Sequence, residues 1–187
     1  TTDLAIVETQ PGGVLPAVRH TDGRAYGGRD FDLVFMQHLL SPRRAADALS
    51  PGERVEWLAA ARSFKERFSH RMTLGHADYE ANVFVGDRRV AMHLSRAVFE
   101  SDEMAGPLIG RFNRLLREAF LHTGRAPSVI DGVLLTGGSA RWYFVRRAVD
   151  RFFGRGVCLV STEPELTIAQ GLALARTGFA APTRENV

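Results

Sequence analysis

The segment "GVLLTGGSARWYFVRRAVDRFFGRGVCLV", residues 132–160, constrains the fold more than any other part of the chain. An unbroken apolar run at 133–136 leads into a helical pattern with Trp142, Val145, Val149 and Phe152 on one face, and then into a second apolar run at 157–160. Strand, helix and strand in that order read as an α/β unit whose first strand is buried on both faces. A further helical pattern, "EPELTIAQGLALARTG", comes next at 163–178.

Upstream the pattern changes. "TDLAIVE" (2–8), "GVLPAVRH" (13–20) and the short "AYGG" predict an antiparallel meander. Residues 28–40 turn helical and lead into a polar loop. A helix over 51–69 has Ser50 as N-cap and Pro51 in its first turn. Short strands are predicted at 71–75, 82–87 and 89–94. A long helical region covers 95–124, broken near Gly106-Pro107 and stopped by Gly124. Its apolar face is Leu108, Phe112, Leu115, Leu116 and Phe120. The expected architecture is α/β: both ends of the chain share one mixed sheet flanked by helices, with 28–103 inserted as a small α/β lobe and 180–187 as a mobile tail.

At 187 residues, 45% hydrophobic and 24% charged, the chain can bury a core without metal or disulfides. A net charge of +3, spread along the chain, reads as a solvated surface rather than a nucleic-acid interface, which would show a basic stripe with interleaved aromatics. The single Cys158, in "VCLV", reads as a buried thiol in a reducing compartment. No leader is recognised and no apolar run approaches the ~20 residues that span a bilayer. A cytoplasmic protein, with no membrane partner, is the expectation. His70 and His76 fall on one face of a predicted strand with no third ligand, so they carry no metal. Asp30 and Asp32 fit a helix first turn, where carboxylates suit the dipole.

Gly137 and Gly138 sit at the carboxyl end of the 133–136 strand, where open α/β sheets place ligands. Without Cβ atoms they admit positive φ and let a ligand lie against backbone. Ser139 suits a helix N-cap, and the helix start favours an anion or a polar ring edge. Arg141 can stack on a heteroaromatic ring. Read alone, Gly-Gly-Ser is equally a tight strand–helix turn beside an exposed arginine.

Several segments together resemble the seventy-kilodalton heat-shock chaperones of the DnaK type. "GGRDFD" (27–32) is similar to their Gly-Gly-Glu-Asp-Phe-Asp segment, and "LLTGGSAR" (134–141) to their Val-Gly-Gly-Ser-x-Arg adenosine motif. "LSRAVFE" (94–100) resembles Thr-Arg-x-x-Phe-Glu, and "EPELTIAQGLALAR" (163–176) resembles the Asn-Pro-Asp-Glu-x-Val-Ala-x-Gly-Ala-Ala helix. "TTDLAIVE" resembles the stretch just after the glycines of the family's second phosphate loop. The five segments keep the family's order from Thr1 to about Gly178.

The resemblance implies an actin-like, ribonuclease-H-like ATPase architecture, with this chain as the second lobe of the nucleotide-binding domain. Residues 1–27 and 104–179 would form its base subdomain and 28–103 the inserted upper one. Gly137, Gly138, Ser139 and Arg141 would line the adenosine pocket, with Arg141 on the base. In "RSFKERFS", Lys65 and Ser69 match a family Glu-x-x-Lys-x-x-x-Ser pattern, with Arg62 in place of the glutamate. The three share a helix face, but an arginine cannot accept hydrogen bonds from ribose hydroxyls. Glu165 stands at an acidic position near the nucleotide. Thr1 and Asp3 would flank the phosphates and Mg²⁺, Asp3 acting on the metal through the nucleotide. The implied cofactors are ATP or ADP with Mg²⁺.

In the family the first phosphate loop, its lysine and the first-lobe carboxylate precede this segment. The chain is therefore read as a fragment that begins inside a motif. ATP hydrolysis would belong to the whole protein, and this part would hold adenosine. Its partners would be the first lobe of the same protein and a co-chaperone or client. The alternatives are a degenerate, non-hydrolysing lobe acting as a protein-interaction module, for which Arg62 speaks, and a sugar kinase or cell-shape filament protein, against which "GGRDFD" and "LSRAVFE" speak. Nucleic-acid binding through the arginines of 141–155 rests on charge alone.

Overall fold

The computed structural model describes residues 1–9, 17–40, 48–154, 156–161 and 163–176. The expected tail at 180–187, the start of the 13–20 strand and most of the polar loop after residue 40 lie outside the described residues. Strand β1 (Thr2–Glu8) pairs antiparallel with β2 (Ala17–Arg24). The register shifts between Ile6 and Val7, opposite His20 and Val18, so Arg19 is the extra residue of a bulge. Helix α1 (Gly28–Leu40) comes directly after, and Tyr26-Gly27 is a bend rather than a third strand.

Helix α2 runs from Pro51 to Thr73. Its start is a full capping box, in which the Ser50 hydroxyl accepts the Glu53 amide and the Glu53 carboxylate accepts the Ser50 amide. Its end corrects an expectation. Residues 71–73 are helical, not a strand, because Met72 lies one turn beyond Phe68 on the buried face. His70 is therefore on a helix and His76 in the turn beyond it, so no strand face unites them. Strands β3 (Asp78–Val85) and β4 (Arg88–Ser95) form an antiparallel hairpin around Gly86, whose φ is +55°. The short helix α3 (Arg96–Phe99) leads through a turn to α4 (Gly106–Thr123). Pro107 sits in the first turn of α4 and Gly124 closes it in the left-handed conformation, as expected.

Strand β5 (Val133–Leu135) and β6 (Cys158–Val160) pair in parallel. Between them a 3-10 turn (Gly138–Arg141) precedes α5 (Tyr143–Phe153), and α6 (Thr167–Arg176) comes after β6. Two further expectations are corrected here. Among the described residues the strands form three separate pairs, not one mixed sheet. β1 faces β5 across a cleft lined by Asp3, Leu4, Ala5, Leu134 and Thr136, without ladder hydrogen bonds. Strand β5 is also not buried on both faces. Leu134 is 58% exposed and its register partner Leu159 57%, because no described element covers the face they share. Cys158, on that short edge strand, is half-buried rather than fully buried, and burial pushes its thiol pKa up.

The larger core joins Phe31 and Phe35 of α1, Phe64 and Phe68 of α2, the inner face of β3–β4, and Phe99. Phe35, Phe64, Phe68 and Phe99 have no exposed surface; Phe35 and Phe99 meet the other rings at tilted or edge angles, and Phe64 and Phe68 lie stacked. Trp142, Tyr143, Phe144 and Val145 belong to the same core. A smaller core gathers Ile6, Ala119 and Phe120 with Leu4, Ile130, Phe152 and Phe153. The apolar packing of residues 28–103 thus extends to the start of α5, which clamps α2 against the 138–141 turn.

Candidate functional site

The Gly-rich turn needs one of its glycines for backbone reasons. Gly137 has φ +80° and ψ 162°, a region essentially closed to residues with a Cβ. Its amide donates to the Pro164 carbonyl at 2.6 Å, which ties the turn to the segment before α6. Gly138 differs. A Cβ there would meet only Glu165 Cγ at 3.9 Å, so its bare backbone faces a cleft. Ser139 is not the cap of α5, as expected from sequence. It lies inside the 3-10 turn, and Trp142 occupies the N-cap position with no side-chain cap bond. The missing cap comes from elsewhere: the Ser69 hydroxyl on α2 accepts the Tyr143 amide hydrogen at 3.2 Å. The same hydroxyl lies 3.5 Å from the Arg141 carbonyl.

Lys65 and Ser69 are the buried polar side chains of the described residues. One helical turn apart on α2, they form the wall of a cleft of about 750 Å³ opposite the 138–141 turn. Lys65 pairs with Asp32 at 2.6 Å, reaches the Gly28 carbonyl at 3.3 Å, and lies 5.6 Å from the centre of the Trp142 ring. Asp32 is thus the partner of a buried cation rather than a first-turn carboxylate. Asp30 is in the first turn and accepts the Gly27 amide at 2.7 Å. Arg62 lies on the cleft's exposed rim and faces Glu66 at 3.6 Å. Arg141 and Glu165 meet as a two-pronged pair across the cleft mouth, at 2.9 and 3.0 Å. Both are about half exposed, so the pair adds little stability, but the fork fixes the guanidinium plane.

The cleft therefore brings together Arg62, Lys65, Ser69, Gly138, Ser139, Arg141 and Glu165. Gly137, Thr1 and Asp3 instead line an adjoining cavity of about 380 Å³, which shares Gly138, Ser139 and Trp142 with the first. Thr1 donates its hydroxyl to Asp3 at 2.8 Å. Among the described residues no group of three or more His, Cys, Asp or Glu is placed to hold a metal by itself. Asp3 has no such companions. Sequence reasoning gives Asp32 and Trp142 other places, a helix first turn and an apolar helix face, and singles out neither Gly28 nor Glu66. A charge inside an otherwise apolar helix, Asp32 in "FDLVF", was the one available signal.

A polar planar ligand fits this arrangement: bare backbone at Gly138, a flat cation oriented by Glu165 at Arg141, and on the opposite wall Arg62 and Lys65, each facing a carboxylate of its own. Among the described residues no helix is long and apolar enough to cross a membrane.

Relatives agree with the resemblance. The chain is 32% identical, over 93% of its length, to a protein named Chaperone protein HscA homolog in Bordetella pertussis. It is 34% identical over 87% to the like-named protein of Bordetella petrii, and 30% identical over its whole length to that of Pseudomonas fluorescens. It spans 27%, 25% and 28% of those proteins, about a quarter of each. The family model described as Hsp70 protein matches residues 1–184, so this mixed α/β chain belongs to the Hsp70 family, whose members carry an actin-like ATPase fold.

Proposed function

We propose that this chain is the adenosine-holding second lobe of the nucleotide-binding domain of a chaperone ATPase. In this reading residues 1–27 and 104–179 are its base subdomain, 28–103 its inserted upper subdomain, and 180–187 a tail. The observation that supports the reading is the cleft between α2 and the 138–141 turn, which collects Gly138, Ser139 and Arg141 of the four residues that the resemblance gives as adenosine contacts. Arg141 stacks on the base, and Gly138 and Ser139 bring backbone against it. Lys65 and Ser69 line the opposite wall, and Glu165 holds the Arg141 plane until the base arrives. Thr1 and Asp3, in the adjoining cavity, face the phosphates and their Mg²⁺. When bound, Mg²⁺ neutralises phosphate charge during attack of water on the γ-phosphate. This chain's residues bind and orient the nucleoside end. The first lobe of the whole protein, a co-chaperone and a client are the partners in this reading, and the cytoplasm its location.

The test is thermal unfolding with millimolar Mg-ADP, Mg-ATP and Mg-GTP. A ligand at one hundred times its Kd stabilises by about 2.7 kcal/mol, which moves the midpoint visibly. Adenine nucleotides should raise the midpoint, GTP should not, and Arg141→Ala should abolish the effect. Nucleotide-independent midpoints in both proteins would overturn the reading.

A second reading has its own observation. Arg62 places a guanidinium on the cleft rim, where it can accept no ribose hydroxyl. That favours a degenerate lobe serving as a protein-interaction module. Arg62→Glu separates the two: a nucleotide response gained only in this variant marks the parent lobe as one that no longer holds nucleotide, whereas a response already present in the parent supports the adenosine-holding reading.

A further inference from the structure

A second cationic cleft, separate from the one between α2 and the 138–141 turn, lies between the end of β2 and α4. It has a volume of about 410 Å³ and is lined by Arg24, Ala25, Tyr26, Arg111, Arg114 and Glu118. Its charge is unbalanced. Arg24 spends its guanidinium on Glu118, at 2.8 Å, and on Asp22, so the carboxylate of the cleft is already taken. Arg111 and Arg114 are exposed, one helical turn apart on α4, and neither has a carboxylate partner among the described residues. Like charges at that spacing repel each other on a helix.

The cleft also holds a buried polar group without a partner. Tyr26 is 6% exposed, and its hydroxyl has neither solvent access nor a hydrogen-bond partner in the protein. Burial raises its pKa to about 12, while the charges of Arg24 and Arg111 act on it in the opposite sense. The hydroxyl therefore lies within the field of Arg24 and Arg111. Buried hydroxyls are ordinarily satisfied. Here two unpaired guanidiniums and an unpartnered phenol line one cleft, whose single carboxylate is paired with Arg24. A solvated arginine face would account for the cations and not for the phenol.

We propose that this cleft binds a tetrahedral oxyanion of the phosphate class, with Arg111 and Arg114 clamping two of its oxygens and the Tyr26 hydroxyl donating to a third. Planar guanidinium forks match phosphate oxygens, and a phosphate offers enough acceptors for all three donors. The site goes beyond the adenosine reading: Arg111 and Arg114 line neither the cleft holding Arg141 nor the adjoining cavity, and Tyr26 alone is shared with that cavity.

The test is calorimetric titration of the chain with inorganic phosphate, against chloride at matched ionic strength, and in a second arm with O-phosphoserine. Saturable one-to-one binding is expected. Arg111→Gln with Arg114→Gln should weaken it at least tenfold and Tyr26→Phe several-fold. In chloride, Tyr26→Phe should melt no lower than the parent, because it removes an unsatisfied hydroxyl, so a folding defect cannot imitate the result. Arg141→Ala should bind phosphate as the parent does, which separates this site from the adenosine cleft. Tighter binding of O-phosphoserine assigns the phosphoryl group to an organic carrier, and tighter binding of phosphate assigns the free ion. No saturable binding, equal heats with chloride, or undiminished affinity in the Arg111/Arg114 or Tyr26 variants would overturn the proposal.

Discussion

The hydroxyl of Ser69, near the end of α2, caps the first amide of α5 by accepting the Tyr143 N–H at 3.2 Å. One side chain thus holds the long helix and the Gly-rich turn in a fixed relation, and α5 has no cap of its own. Ser69→Ala leaves a buried amide unsatisfied and should cost about 1–2 kcal/mol. Urea unfolding should show a lowered midpoint with an unchanged slope. A midpoint equal to the parent's would mean that the amide finds another acceptor.

Lys65 and Asp32 form a buried ion pair, with side chains 7% and 13% exposed. Removing one partner strands the other charge, so Lys65→Met or Asp32→Asn should each cost about 3–5 kcal/mol. The double variant Lys65→Met/Asp32→Leu should recover much of that loss, because two apolar side chains need no mutual compensation. A double-mutant cycle by chemical denaturation measures the coupling. Additive losses would show that the pair contributes nothing as a pair.

The two glycines of the turn should separate stability from binding. Gly137→Ala forces a Cβ into a glycine-only conformation and should cost about 1–3 kcal/mol although nothing crowds it. Gly138→Ala meets only a side-chain carbon at 3.9 Å and should stay within about 0.5 kcal/mol of the parent. It should nevertheless reduce the stabilisation by adenine nucleotide, because the new methyl stands in the cleft. Equal melting of the two variants without ligand would contradict this division.

Two tyrosines make the protein sensitive to base. Burial raises the Tyr26 phenol to about 12, and burial together with the neighbouring Glu100 carboxylate raises Tyr143 further in the same direction. In the unfolded chain both ionise near ~10. The folded state therefore holds protons that the unfolded state releases. The stability is fully present below ~10 and falls as pH rises through the folded values. Tyrosinate absorbance from these two residues should appear together with loss of helical circular dichroism. Tyr143→Phe should move that transition to higher pH. Ionisation of both phenols while the helices remain intact would refute it.

Elements with local causes could be read from the residues alone. The Ser50–Glu53 capping box starts α2 where the residues predict it, and Gly124 ends α4. The glycine at 137 marks a turn that only glycine can make. The family was legible as well, since five ordered motifs survive even where single residues change. Other features depend on partners distant along the chain. Arg71 and Met72 favour a helix over the strand that their place after Ser69 and His70 suggests, and Met72 is held there because Phe68 and the core lie beneath it. Strand β5 reads as doubly buried from its apolar run, but burial depends on what covers it, and Leu134 is left uncovered. Ser69 and Lys65 look like ligand contacts in sequence. Only the folded chain shows one capping a helix that begins 74 residues later and the other bound to Asp32, because a buried hydroxyl or ammonium takes the partner that packing brings within reach.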